Sequence, residues 1–294
     1  MPTISLLRTG ALASILFGVL TAGCTDMNTS NTEPDSFPTF EEFRSQIHPD
    51  SEGRFVVDGD IAVHSEQGLR EFYHKALIAH QDELAVKDGL GVAREGLILN
   101  TVNGVDDLQT LSNRYDITYC VSSAFGANFT TVVTELDGAA RSWADRIGAR
   151  HRLVTTSSCD ASTDVTFDVR PAPSDAGYFA SSFFPGDDRS VRELLIADAA
   201  FTTNEGGRDF QGILRHELGH TLGFRHEHIL LVPSCTGEEA INYRQITEYD
   251  VDSVMHYPQC RPSGTGGYRQ SYLDFRGANL LYGPAPALTN SAAL

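Results

Sequence analysis

The chain has 294 residues and is 41% apolar, which suffices for one sizeable core with a smaller appendage and argues against wholesale disorder. Its formal net charge of −17 argues against a nucleic-acid partner, because phosphate binding needs a basic surface. Acidity of this kind suits solubility and does not identify a substrate.

The first residues read as a targeting segment. Arg8 supplies a weak positive start, residues 11–20 form an apolar run too short for a comfortable membrane span, and small residues lead to Cys24. Ala22-Gly23-Cys24 resembles a bacterial lipobox, in which the cysteine is lipidated and becomes the mature N-terminus. Thr21 departs from that pattern, where Leu is usual, so plain secretion stays open. Residues 1–23 are therefore expected to be a signal peptide and 24–49 a polar, Pro-containing tether. The expected location is the cell envelope, through a lipidated Cys24, or the outside of the cell. Four cysteines remain beyond Cys24 in this reading. Cys120–Cys159 and Cys235–Cys260 are the favoured disulfides because each closes a local loop, with four free thiols as the alternative.

Residues 50–112 read as a small N-terminal region. Two short strands are expected in 53–64 around an Asp58-Gly59 turn, and an amphipathic helix over 66–84. A strand follows at 116–122. Val132, Leu136, Ala139, Ala140, Trp143 and Ile147 then mark one face of a long helix over 129–147. Strands are expected at 165–169, at 178–184 before Pro185-Gly186, and within 193–201, and a helix over 209–222. This order predicts an α+β domain over 113–283, α/β-like in its first half, with a mixed sheet, and a short tail at 284–294.

The chemistry is concentrated in HELGHTLGFRH, beginning at His216. His216 and His220 are four apart and share a helix face, so both imidazoles can reach one Zn²⁺. Glu217 lies beside the metal, placed to take a proton from a zinc-activated water as general base and to return it as general acid. Gly223 is expected to end the helix in a permissive conformation, letting the chain turn back so that His226 becomes the third ligand. Three protein ligands leave one position open, which marks a catalytic rather than a structural zinc site.

This stretch resembles the metzincin zinc peptidases, whose HExxHxxGxxH motif is followed by a methionine turn. Here the turn reads Ser253-Val254-Met255-His256-Tyr257-Pro258. The resemblance implies a catalytic domain with a twisted mixed sheet, a long backing helix, an active-site helix and a Met-turn subdomain. It makes Met255 a floor under one zinc and Tyr257 a switchable ligand and oxyanion donor. The features are mixed. GYFASSFFPG (177–186) is similar to the substrate-binding edge strand of matrixins, while Glu227-His228 and the MHY turn are astacin-like. The combination is most similar to the bacterial dual-action HEIGH metallopeptidases. Ala200 stands where matrixins carry a histidine for a second zinc, which implies that this zinc is missing. Val57-Asp58-Gly59-Asp60 is similar to the astacin-like pro-region motif that puts an aspartate on the metal, so Asp60 is a candidate cap.

The expected activity is therefore hydrolysis of internal peptide bonds in a protein or peptide substrate. The alternatives are a zinc-binding surface module without catalysis and a zinc hydrolase of a non-protein amide. Asp187-Asp188 offer a candidate Ca²⁺ site or a solvated turn. His48, His64, His74, His80 and His151 have no ligand spacing.

Overall fold

The computed structural model describes residues 38–57, 59–74, 97–203, 209–229, 242–261 and 268–286. These belong to one unit beginning at Phe37. The expected signal segment, Cys24, Cys235, most of the tether, the second half of the 66–84 helix and His80 lie outside the described residues.

The N-terminal part opens with helix α1 (Phe40–Gln46), started by a capping box in which Thr39 and Glu42 satisfy each other's backbone N–H. Strands β1 (Phe55–Val57) and β2 (Ile61–Val63) pair antiparallel as the expected hairpin, and helix α2 (66–74) follows. Phe55, Val57, Ile61 and Leu69 form a small core, joined by Phe40, Phe43, Ile47, Val63, Phe72 and Phe184. Among the described residues, Phe184 is the one member from the rest of the molecule.

The main sheet takes the order β6-β5-β7-β9-β8. It comprises β5 (Ile117–Val121), β6 (His151–Leu153), β7 (Phe167–Pro171), β8 (Ala180–Ser181) and β9 (Glu193–Ile196). The first four strands of that order run parallel and the edge strand β8 is antiparallel to β9. Parallel strands are covered on both faces, and the burial of Ile117, Tyr119, Phe167, Val169 and Leu194 follows from that. The backing helix α3 (Phe129–Ala144) buries the expected face, Val132, Leu136, Ala139, Ala140 and Trp143. It stops short of Ile147, which is buried beyond the helix end.

Helix α3 packs on α4 (Phe210–Thr221), where the Trp143 indole N–H donates to the Arg215 carbonyl at 3.0 Å. The expected strand at 178–184 shrinks to the two residues that pair with β9, Ala180 and Ser181. The segment after β9 turns into a 3-10 helix, Asp198–Phe201. Cys120 and Cys159 form the expected disulfide. Cys260 is also disulfide-bonded.

A second sheet joins distant segments. Strand β3 (Ile98–Val102) pairs antiparallel with β10 (Phe224–Arg225) and with β11 (Tyr243–Gln245), and its far end pairs with β4 (Val105–Asp106). β3 precedes the boundary expected at residue 113 and hydrogen-bonds across it. Helix α5 (Tyr272–Tyr282) closes the unit, capped by a Ser271–Asp274 box and ended at Gly283. No helix among the described residues is long and apolar enough to cross a membrane.

Candidate active site

Helix α4 begins where the Asp209 side chain accepts from the Gly212 N–H, which satisfies one of the orphan donors of the first turn. It ends at Gly223, whose φ of +94° lies in the left-handed region. A Cβ there would meet the Asp107 carbonyl oxygen at 2.2 Å, so both conformation and space require glycine. The reversal at Gly223 starts β10 and carries His226 back to the helix.

Two main-chain carbonyls set the histidine tautomers. His216 Nδ1 lies 2.7 Å from the Val254 oxygen, and His220 Nδ1 lies 2.7 Å from the Phe224 oxygen. A carbonyl only accepts, so Nδ1 carries the proton in both rings and each Nε2 presents a lone pair. These nitrogens converge: His216 Nε2 is 3.1 Å from His226 Nε2. Asp60, at the tip of the β1–β2 hairpin, enters the same cluster, with Oδ2 at 3.1 Å from His216 Nε2. Its Oδ1 lies 3.2 Å from His226 Nε2 and 3.6 Å from His220 Nε2.

The donor set fits zinc. Four ligands at Zn–N and Zn–O distances of about 2.0–2.1 Å in a tetrahedron lie about 3.3–3.4 Å apart, close to the spacing observed. His220 Nε2 and Asp60 Oδ1 are buried with no hydrogen-bond partner, a cost that a shared cation removes. Burial brings the His220 imidazole down to about 4, partly opposed by Asp60, so the ring is neutral and able to ligate. Among the described residues, this is the one group of three or more metal-binding side chains.

Glu217 points into the same space without being part of the donor group. Its Oε2 is buried and unpartnered. Burial, reinforced by the Asp60 carboxylate, pushes its carboxyl well above the usual range. Tyr257 packs on the ligands, its ring 4.4 Å from that of His226 and 5.5 Å from that of His216. Met255 is fully buried, and its sulfur would lie 2.3 Å from a Cβ built on Gly219, so the thioether seats against the helix backbone between His216 and His220.

Residues from other elements support the site, and the sequence announces some of them and not others. The Asp274 carboxylate accepts from the Ser253 hydroxyl at 2.6 Å and from the Val254 N–H at 2.8 Å, fixing the methionine turn from α5. The Ser271-x-x-Asp274 spacing is readable as a helix start, but its second task is not. His228 stacks against His226 and Tyr257, with ring centroids at 5.1 and 4.8 Å. Ala200, with no donor atom, lies buried in the main core.

The family model described as Matrixin matches residues 111–257, half of the chain. The chain belongs to the matrixin family. It is therefore a zinc metalloprotease, with protein or peptide substrates and a metzincin α+β fold, and the non-catalytic surface module is set aside. Among solved structures, myroilysin is similar at 16% identity and a TM-score of 0.42, over 58% of this chain and 96% of that one. High choriolytic enzyme 1, a hatching-enzyme zinc-protease from the medaka fish Oryzias latipes, is similar at 21% identity and a TM-score of 0.37, over 60% of this chain and 93% of that one. No curated protein matches this chain.

The candidate calcium site at Asp187-Asp188 finds no support in this matrixin, in keeping with the alternative of a turn. Asp187 and Asp188 form no group of three metal donors among the described residues. Asp187 Oδ2 instead accepts from the Phe184 N–H at 2.8 Å, and Asp188 precedes a short 3-10 turn, so the pair serves the turn after the edge strand. His151 is buried against Phe167 and Thr221 and is not part of the donor group.

Proposed function

We propose that this matrixin is an exported endopeptidase whose catalytic zinc is held by His216, His220 and His226, and whose site is kept shut by the β1–β2 hairpin through Asp60. The observation that carries this reading is the Asp60 carboxylate lodged among three buried imidazoles, within 3.1–3.6 Å of their Nε2 atoms.

The metal, when bound there, supplies Lewis acidity to the scissile carbonyl and to the attacking water. Glu217 takes the proton from that water and later delivers it to the leaving amine. The Tyr257 hydroxyl donates to the oxyanion as it develops. The free edge of β8 lines up the substrate backbone, a mode of pairing that tolerates many sequences.

In the shut form each of these groups is occupied or covered. Asp60 fills the position left open by the three histidines. The Asp60 carbonyl accepts from the Ser182 N–H at 3.1 Å, which takes a backbone donor of the edge. Gly59, with φ +93°, packs under Tyr257 so closely that a Cβ would meet its hydroxyl oxygen at 2.7 Å. The hairpin has its own apolar cluster and is tied to the main sheet by the Arg54–Glu193 ion pair at 3.0 Å, while Tyr178 Oη and Glu217 Oε2 stay buried without hydrogen-bond partners, each costing on the order of 1–3 kcal/mol.

The test is peptidase activity of the full chain. Asp60→Ala is expected to cleave a casein or peptide-library substrate without prior processing, whereas the parent chain does so only after processing. Equal activity of the two before processing would sink the shut-form reading and leave the zinc protease intact.

The mixed signature supports kinship with the bacterial dual-action HEIGH metallopeptidases within the metzincins. Export rests on residues 1–23, and surface attachment on Cys24. Mass spectrometry of the mature N-terminus from a membrane fraction is expected to find acylated Cys24. An unmodified N-terminus in the culture medium would exclude the anchor and keep secretion.

A further inference from the structure

The segment Leu97–Gln109 precedes the zinc-binding motif and the methionine turn, yet it secures the end of the catalytic helix. The last carbonyls of an α-helix have no partner within the helix. Here Gln109 Nε2 donates to the Thr221 carbonyl at 2.9 Å, and the Tyr282 hydroxyl, itself accepting from the Gln109 N–H, donates to the Leu222 carbonyl at 2.8 Å. The Asn100 N–H donates to the Gly223 carbonyl at 2.7 Å. The turn that brings His226 to its partners is thus held from a strand more than a hundred residues earlier.

One residue of that segment reaches both flanks of the metal site. On one flank, the Asp107 main-chain carbonyl packs against Gly223, where a Cβ would come within 2.2 Å of it. On the other, the Asp107 carboxylate, 6% exposed, packs against Gly186, where a Cβ would come within 2.9 Å of Oδ1, and accepts from Asn100 Nδ2 at 2.7 Å. Gly186 ends the turn that begins at Phe184, and the Phe184 ring stands edge-on to the His220 ring at 5.6 Å and 87°. Burial raises the Asp107 carboxyl, partly opposed by its bond to Asn100, so the group is retained at a cost that this bond offsets in part.

We propose that Asp107 is a positioning residue of the zinc site, setting the Gly223 turn through its backbone and the Phe184–Gly186 turn through its carboxylate, so that His226 and His220 are held in register from one point. It touches neither substrate nor ligand atoms. It follows that Leu97–Gln109 belongs to the catalytic unit, and that exposing the site must leave this segment attached. The proposal rests on reading His216, His220 and His226 as the zinc ligands.

The experiment uses the full chain, with zinc affinity measured by chelator competition and the cobalt(II)-substituted protein followed by its visible absorption. Asp107→Asn keeps the shape but turns one acceptor into a donor that faces a donor. It is expected to weaken zinc about tenfold and to shift the cobalt bands, in line with other residues that orient ligands from behind. The double variant Asn100→Asp with Asp107→Asn restores a donor–acceptor pair and is expected to recover most of the affinity. Zinc affinity within twofold of the parent and an unchanged cobalt spectrum in Asp107→Asn would overturn the proposal, as would failure of the double variant to recover. If Asp107→Asn does not fold, Asn100→Ala carries the same test with the same overturning result. A parent chain that binds no zinc would overturn the ligand assignment as well. A parent that binds, beside a variant that binds equally, overturns the role of Asp107 alone.

Discussion

Glu217 sits one residue from a ligand yet contributes no donor to the metal group, and that separation defines its proposed task. Replacing it with Ala leaves His216, His220 and His226 in place. The Glu217→Ala chain, once processed, is expected to retain about one zinc while losing roughly 10²–10⁴-fold in turnover, the usual worth of a positioned acid–base group. Metal analysis beside peptide cleavage checks this, and turnover close to that of the parent would remove Glu217 from the mechanism. The histidines and Glu217 were legible as residues because their spacing on a helix dictates a common face. Asp107 and Asp274 were not, because their partners are distant in the chain and no local period connects them.

At the scale of elements, the β1–β2 hairpin shows what a short pattern can carry. Its two strands and its turn follow from alternation around Asp58-Gly59, and the turn delivers Asp60 to the metal site. Gly59 is constrained twice, by φ +93° and by the Tyr257 hydroxyl. A Cβ there costs about 1–2 kcal/mol in backbone strain alone, before the contact is counted. Gly59→Ala is accordingly expected to loosen the shut form by about tenfold, seen as peptidase activity of the full chain before processing, with no change after processing. Activity as low as that of the parent before processing would show that the hairpin does not need this approach. The elements that sequence patterning described less well were the edge strand, which shortened to Ala180–Ser181, and β3. Strand length at an edge depends on the neighbour that pairs with it, and β3 finds its neighbours beyond the catalytic helix.

The whole molecule couples the sheet to the catalytic helix through His151. The Thr221 hydroxyl donates to the Leu218 carbonyl at 2.8 Å and so must accept from His151 Nε2–H, also at 2.8 Å. Protonation would then add a buried Nδ1–H with no acceptor, and burial brings the ring from 6.5 to about 3. The folded pKa is depressed, so the unfolded chain binds the extra proton first. The stability from neutral His151 is fully present above pH 6.5 and is lost as the pH falls toward about 3. His151→Gln can keep a donor to Thr221 without titrating. Its thermal midpoint is expected to fall less steeply than that of the parent across this window, and parallel melting curves against pH would refute the assignment.

The sequence by itself determined the metal chemistry, since three histidines, a glutamate and a glycine at helical spacing leave few other uses for that helix. It also determined the α+β class, the buried face of α3 and the methionine turn, all of which are local periods or contiguous motifs. Only the tertiary structure decided which distant residues surround the three histidines, including whether the candidate Asp60 reaches them. Asp60 joins them from 156 residues before His216, and β3 and α5 brace the turns that present them. Those contacts depend on how separate elements pack, and the free energy that selects the packing is spread over the whole core rather than written in any one stretch.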